Sequence, residues 1–171
     1  MMKRLYLIRH AKSSWADAGR PDFDRPLNGR GKRDALLIGK RLAAAGVQPD
    51  LLISSPARRA RKTARAIAEE IGYRERDLVL IDALYTFSRE GLVSVLRDVD
   101  DEIKALVVVG HNDAISDAAE WLSGAALGSI PTCGVVSITF ATDRWRELDS
   151  GSGVLEFFEY PKRIADADRQ G

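Results

Sequence analysis

The sequence predicts a single-domain α/β fold with three layers, α/β/α, around a mainly parallel sheet. Three observations carry that expectation. Short apolar runs alternate along the chain with stretches of helical periodicity. The runs within 4–9, 50–54 and 105–109 are continuously apolar rather than alternating, the pattern of strands covered on both faces. The length of 171 residues, without an internal repeat or a low-complexity linker, suits one domain with one sizeable core.

Taken in order, residues 4–9 read as the first strand, and 11–28, rich in Ser, Asp, Gly and Pro, as a loop. Residues 29–46 read as a helix. Ala35, Leu36, Ile38, Leu42 and Ala43 supply its apolar stripe, Asn28 is placed to cap it, and Gly46 stops it. A second buried strand covers 50–54. The helix after it, 57–71, sets Ala60, Ala64, Ile67 and Ile71 at helical spacing and leaves Arg58, Arg61, Lys62 and Arg65 mostly elsewhere on its surface. A third strand is expected at 78–81, a short helix at 89–98, a valine-rich fourth strand at 105–109 and a helix from about 113 to 122. Residues 134–140, 144–148 and 154–159 read as strands, antiparallel additions at the C-terminal end, the last two joined by the turn Ser150-Gly151-Ser152-Gly153. The domain is expected to span 1–161, with 162–171 a polar, frayed tail.

Composition narrows the function. Lys and Arg number 26 against 25 Asp and Glu, so the chain as a whole offers no basic surplus for nucleic acid or an anionic membrane. The single cysteine, Cys133, excludes an internal disulfide framework and a cysteine-built zinc site, and fits a reducing compartment. The apolar stretch Leu5–Ile8 is too short for a signal-peptide core or a membrane span, and no later run is long enough. A cytoplasmic protein is the expectation.

In open α/β sheets, ligands bind at the carboxyl ends of the strands. Arg9 and His10 follow the first strand here; Ser54, Ser55, Arg58 and Arg59 follow the second; Gly110, His111 and Asn112 follow the fourth. The chain has two histidines, and both fall where the fold places chemistry. A lone histidine at a strand end is more often a packing residue, and an arginine on a helix more often solvated, so the weight lies in their convergence. Arginine offers a planar fork of donors that matches phosphate oxygens. Helix N-termini after the second and fourth strands add backbone N–H groups. A neutral imidazole in that field can attack phosphorus and split one displacement into two easier ones. Metal binding competes for two histidines, but the neighbouring arginines repel a cation and no three-ligand spacing is present. Neither a metal nor another cofactor is expected.

These residues resemble the histidine phosphatase superfamily, also called the phosphoglycerate mutase-like family. Leu7-Ile8-Arg9-His10 resembles its strand followed by Arg-His-Gly, with Ala11 in place of the glycine, and Ala16 stands where many members have a phosphate-binding Asn. The run from Ser54 to Thr63 resembles Ser-x-x-x-Arg-Ala-x-x-Thr, which selects Arg59 over Arg58 and Arg61. Gly110-His111 matches the later Gly-His motif, and Pro26–Gly31 resembles the family's helix start. The resemblance implies that His10 is the phosphorylated nucleophile. It implies that Arg9, Arg59 and His111 bind the phosphoryl oxygens, with His111 donating hydrogen bonds. It also implies that no metal takes part.

Arg59 and His111 lie 52 positions apart, a span already filled by predicted elements, so no large capping insertion is expected. An open pocket suits a phosphorylated protein side chain. The short span and the stretch Asp22-Phe23-Asp24-Arg25-Pro26-Leu27-Asn28 look most like the SixA-type phosphohistidine phosphatases. A phosphohistidine loses imidazole and needs a dedicated acid less than an alkoxide does. Asp82, Glu90 and Asp113 are the candidate acids, each with a bland reading as a turn or helix-start charge. Lys12, Ser13 and Asn112 are expected substrate contacts, Lys12 doubling as a solvated loop lysine. The departure at Ala11-Lys12 is where substrate preference is expected to show. Trp15 is expected to pack on its own domain, with a platform for a partner as the alternative. A small-molecule phosphomonoesterase using the same site, and an inactive phosphate-binding module, are the competing readings.

Overall fold

The computed structural model describes residues 2–170. Six strands form one sheet in the order β3-β2-β4-β1-β5-β6: β1 Lys3–Arg9, β2 Leu51–Ser54, β3 Val79–Leu80, β4 Ala105–Gly110, β5 Val135–Phe140 and β6 Gly153–Glu159. β3, β2, β4 and β1 run parallel, while β5 and β6 add antiparallel at one side. The expected architecture is found.

The continuous apolar runs are explained by the two covered faces. Leu5 and Leu7 of β1, with Leu106 and Val108 of β4, pack under helices α3 (Arg89–Arg97) and α4 (Ala114–Ser123). Their neighbours Tyr6, Ile8, Val107 and Val109 pack on the other side under α1 (Gly29–Ala44) and α2 (Arg58–Ile71). Side chains of a strand alternate between faces, so a strand sandwiched by helices must be apolar at every position.

Four sequence expectations need correction. Leu36 and Ala43 do not belong to the buried stripe of α1, which is Gly31, Ala35, Ile38, Gly39 and Leu42. Gly39 sits so close to α2 that a β-carbon there would lie 2.9 Å from Cβ of Glu70, which turns this face inward. The third strand is only two residues long and half-exposed, an edge paired with β2 alone. Residues 144–148 do not pair as a strand. Trp145 is fully buried, donates its indole N–H to the Ile103 carbonyl at 2.8 Å, and pins a short 3-10 turn, Trp145–Glu147, into the core. Finally, the polar end is helical rather than frayed: α5 spans Pro161–Gln170 and buries Ile164 in the α1/α2 core.

Register delivers the site. Arg9 lies opposite Gly110 and Ser54 opposite Val109, so β1, β4 and β2 end at one level. The backbone N–H groups of His10 and Ser55 extend this ladder to the carbonyls of Gly110 and Val109, each at 3.0 Å. Three neighbouring parallel strands therefore release His10, His111 and Ser55 side by side.

Candidate active site

At that edge lies a cleft of about 230 Å³, lined among others by Arg9, His10, Lys12, Ser13, Arg59 and His111. The two histidine rings stand 5.2 Å apart, centre to centre. His10, Arg59 and His111 are all buried. Between Arg59 and His111 the chain contains the remainder of α2, two short 3-10 turns, β3, α3 and β4, a span without a large insertion.

Each functional side chain has a fixed partner. Nδ1 of His10 lies 2.8 Å from the Ala11 carbonyl, which can only accept, so Nδ1 carries the proton and Nε2 keeps its lone pair. That lone pair receives the Arg59 Nε–H at 3.3 Å. Arg59 also donates from Nη1 to the Asp22 carbonyl at 2.7 Å and from Nη2 to the Asp22 carboxylate at 3.0 Å. Its Nη2 stands 3.3 Å from Nδ1 of His111, whose Nε2 lies 2.8 Å from the Ser55 hydroxyl. With Nδ1 accepting from the guanidinium, His111 donates its Nε2–H to Ser55. Arg9 donates from Nη1 to the Ile130 carbonyl at 2.8 Å, while its buried Nε has no partner among the described residues.

The charge pattern favours neutral imidazoles beside an anion site. Burial, reinforced by His111, Arg59 and Arg9, lowers the pKa of His10 to about 3, against the opposing hydrogen bond to Ala11. Burial and the Arg59 charge lower His111 to about 4. The expectation that His111 donates to a ligand therefore does not describe this state, in which it is neutral and its donor is engaged by Ser55. Partial burial opposes ionisation of Asp22, but hydrogen bonds from Tyr85 and Arg59, with the Arg59 charge, outweigh it and bring its pKa to about 2.

The remaining expected residues separate. Lys12 lines the cleft and is exposed, and Ser13 lines it while its hydroxyl accepts from Arg25 Nη1 at 2.6 Å. Asn112 lines the cleft too, but its amide is spent on structure. It donates to Ser129 and Ile130 and accepts from the backbone and hydroxyl of Ser116, tying the start of α4 to the loop before β5. Ala11 faces away from the cleft, fully buried in the α1/α2 core, with its N–H donated to Thr63 at 2.9 Å. The methyl that departs from the glycine pattern thus packs against the core, and only Lys12 of that pair meets the cleft. Asp82, Glu90 and Asp113 are not among its lining residues. Asp113 acts on Arg9 through space, and Glu90 pairs with Arg89 in a separate depression.

Sequence reasoning missed four contributors. In the sequence Asp22 and Arg25 stand only as part of a family-like stretch, with no role attached. Arg25 donates to Asp22 at 3.1 Å, and its guanidinium lies 3.5 Å from the Trp15 ring centre. Trp15 itself is 73% exposed at the cleft rather than packed inward. Tyr85 donates to Asp22 at 2.6 Å, and Phe87 stacks obliquely on His111 at 5.3 Å. These last two follow β3, and the strand-end rule applied to that strand would have found them. Behind the site, Cys133 is buried and adopts a left-handed backbone (φ 62°), from which its N–H reaches the carbonyls of both Arg9 and His10. Burial pushes its thiol pKa far up.

Among the described residues, no group of three His, Cys, Asp or Glu is placed to hold a metal ion. No described helix is long and apolar enough to cross a membrane.

Known proteins share this fold and part of this sequence. Residues 5–84 match the model of the histidine phosphatase superfamily (branch 1). The fold is similar to that of a putative phosphohistidine phosphatase SixA from Agrobacterium tumefaciens, with TM-score 0.77 and 32% identity, covering 93% of this chain and 98% of that one. It is also similar to a protein histidine phosphatase SixA solved with tungstate, with TM-score 0.79 and 18% identity over 94% and 99% of the two chains, a likeness of fold. An uncharacterized chloroplastic protein of Arabidopsis thaliana is 31% identical over 159 residues, 88% of this chain and 72% of that protein.

Proposed function

The chain belongs to the histidine phosphatase superfamily, in its SixA-type branch, and from that premise we propose that it removes phosphoryl groups from phosphohistidine on proteins by way of a phosphorylated His10. The observation that carries this reading is the state of His10. Its Nδ1–H is tied to the Ala11 carbonyl, its Nε2 is unprotonated, and it stands among Arg9, Arg59 and His111.

In this reading Arg9 and Arg59 hold the phosphoryl oxygens, and the unpaired Nε of Arg9 gains an acceptor. Nε2 of His10 attacks phosphorus, and the electron pair of the broken bond leaves with the departing group. An imidazole whose ring is already protonated departs neutral, so no acid is required of the enzyme. Asp22, held ionised, is not a proton donor. Water then attacks the phosphorus on His10, releases inorganic phosphate and returns the lone pair to Nε2. Guanidinium groups supply the positive charge that a metal would bring, so the reading routes no step through one. The open cleft suits a side chain presented by a folded partner, such as a histidine-phosphorylated signalling domain, in a reducing, cytoplasmic setting.

Quenched turnover should show an acid-labile, base-stable phosphate on the enzyme that disappears in His10→Ala. Persistent label at the same level in that variant would sink the nucleophile assignment. Comparing kcat/KM on a phosphohistidine peptide with a panel of phosphomonoesters tests the substrate. A hundredfold better rate on one ester would shift the reading to a small-molecule phosphatase.

A further inference from the structure

The rim of the cleft carries large aromatic side chains that the chemistry at His10 does not use. Trp15 is 73% exposed and Phe87 51% exposed, and both line the same cleft as His10 and Arg59. A soluble domain covers large apolar rings where it can. Neither ring is loose. Phe87 lies 5.5 Å from the Tyr85 ring and 5.3 Å from the His111 ring, and Tyr85 is itself held by Phe23 at 5.2 Å and by its hydrogen bond to Asp22. Trp15 rests on the Arg25 guanidinium. The rings are held in place and still have free surface.

A phosphoryl group held at His10, Arg9 and Arg59 places whatever carries it at this rim. We propose that Phe87 and Trp15 select phosphoryl groups attached directly to a planar ring, such as an imidazole or a phenol, over those attached to a saturated alcohol. The proposal rests on the site being a phosphoryl pocket, and it names the carrier that pocket prefers. Ring pairs are favourable with centroids about 4.5–7 Å apart in offset or edge-on arrangements, the spacing already adopted by Tyr85, Phe87 and His111. The chemistry points the same way. The cleft carboxylate, Asp22, is ionised and cannot protonate an alkoxide, whereas ring-borne leaving groups depart without that help. A nucleotide does not meet the requirement, because its phosphoryl group is carried by the sugar and its base lies farther off.

Binding of non-hydrolysable phosphonates tests this independently of turnover. Phenylphosphonate, cyclohexylphosphonate, methylphosphonate and inorganic phosphate would be titrated by calorimetry into the wild type, Phe87→Leu and Trp15→Leu. The expected result is that the wild type binds phenylphosphonate about tenfold more tightly than either saturated analogue. Phe87→Leu should erase most of that preference and Trp15→Leu part of it, the preference being read as the ratio of phenyl to cyclohexyl affinity within each variant, with a cooperative thermal melt as evidence of an intact fold. Equal binding of the phenyl and cyclohexyl compounds would overturn ring selection while leaving the phosphoryl pocket standing. A preference retained in both leucine variants would overturn the assignment to these residues. Failure of all four anions to bind the wild type would overturn the reading of the site, and this inference with it.

Discussion

The Nε of Arg59 lies 3.3 Å from Nε2 of His10, so the free protein keeps the lone pair of the proposed nucleophile hydrogen-bonded to the guanidinium beside it. Attack by His10, as proposed, requires that bond to be exchanged. A phosphoryl oxygen arriving between the arginines offers a stronger, charged acceptor than a neutral imidazole, and taking the Arg59 donor frees the lone pair. Binding and activation become one event.

This makes Arg59 hard to replace. Arg59→Ala should lower kcat/KM on a generic aryl phosphate by about 10²–10³-fold, the scale for losing one preorganised donor to developing charge. Arg59→Lys should restore little of it, because an ammonium has no planar fork to serve His10, Asp22 and the phosphoryl group together. Wild-type kinetics in the lysine variant would refute the exchange.

Asp22 sets both the aim of Arg59 and the charge of the cleft. It accepts from Arg59, Arg25 and Tyr85. Asp22→Asn removes one negative charge beside the guanidinium groups of Arg59 and Arg25, so product phosphate should bind more tightly. Meanwhile kcat should fall roughly tenfold as Arg59 loses its anchor. Tyr85→Phe should produce a smaller fall with little change in phosphate inhibition. The pair of measurements is a phosphate inhibition constant and kcat for each variant; no change in either for Asp22→Asn would rule the role out.

Acid should destabilise the fold earlier than carboxylates alone would allow. In the unfolded chain a histidine takes up its proton near pH 6.5, but in the folded protein His10 and His111 resist protonation down to about 3 and about 4. The unfolded state therefore binds more protons below pH 6.5, and stability falls as pH drops through that range, by up to about 1.4 kcal/mol per pH unit for each histidine. Asp22 has its pKa lowered from 3.8 to about 2, so its contribution is complete above about pH 4 and is lost only below that. Calorimetric melting should show Tm level from pH 8 to 7 and declining between 6.5 and 4.5. His10→Asn with His111→Asn should flatten that decline, and an unchanged slope would contradict it.

The loop bearing Lys12 is seated by a glycine. A β-carbon on Gly31, in the first turn of α1, would run into the backbone carbonyl of Lys12, which also accepts the Asn28 N–H at 3.0 Å. Gly31→Ala should cost about 1–3 kcal/mol through overpacking and should disturb the site with it. The exposed Gly29→Ala, whose β-carbon meets only the end of the Arg33 side chain, serves as the control. Equal melting temperatures for the two variants would remove the constraint.

The parts of this molecule legible in its sequence are those fixed by strand periodicity and strand ends. β1 and β4 announce themselves because both faces are covered, and their termini carry His10 and His111. Arg59 needed more, since helical position alone does not separate it from Arg58 or Arg61; the motif did. What stayed hidden depends on long-range contact. Asp22 meets Tyr85 across 63 positions, and no local pattern links them. Trp145 reads as a strand residue by propensity, but a buried indole with a carbonyl partner outweighs edge pairing. The helical C-terminus looks polar because only a narrow face, around Ile164, is needed to dock it.

Cys133 gives the molecule a last property. Its sulfur is sealed in the core with its proton held firmly, and the reactive form of a thiol is the thiolate. Phosphate chemistry run through an imidazole has no sulfur at the reacting atom for peroxide to capture. With His10 as the proposed nucleophile, activity should survive peroxide treatment that inactivates thiol-dependent enzymes.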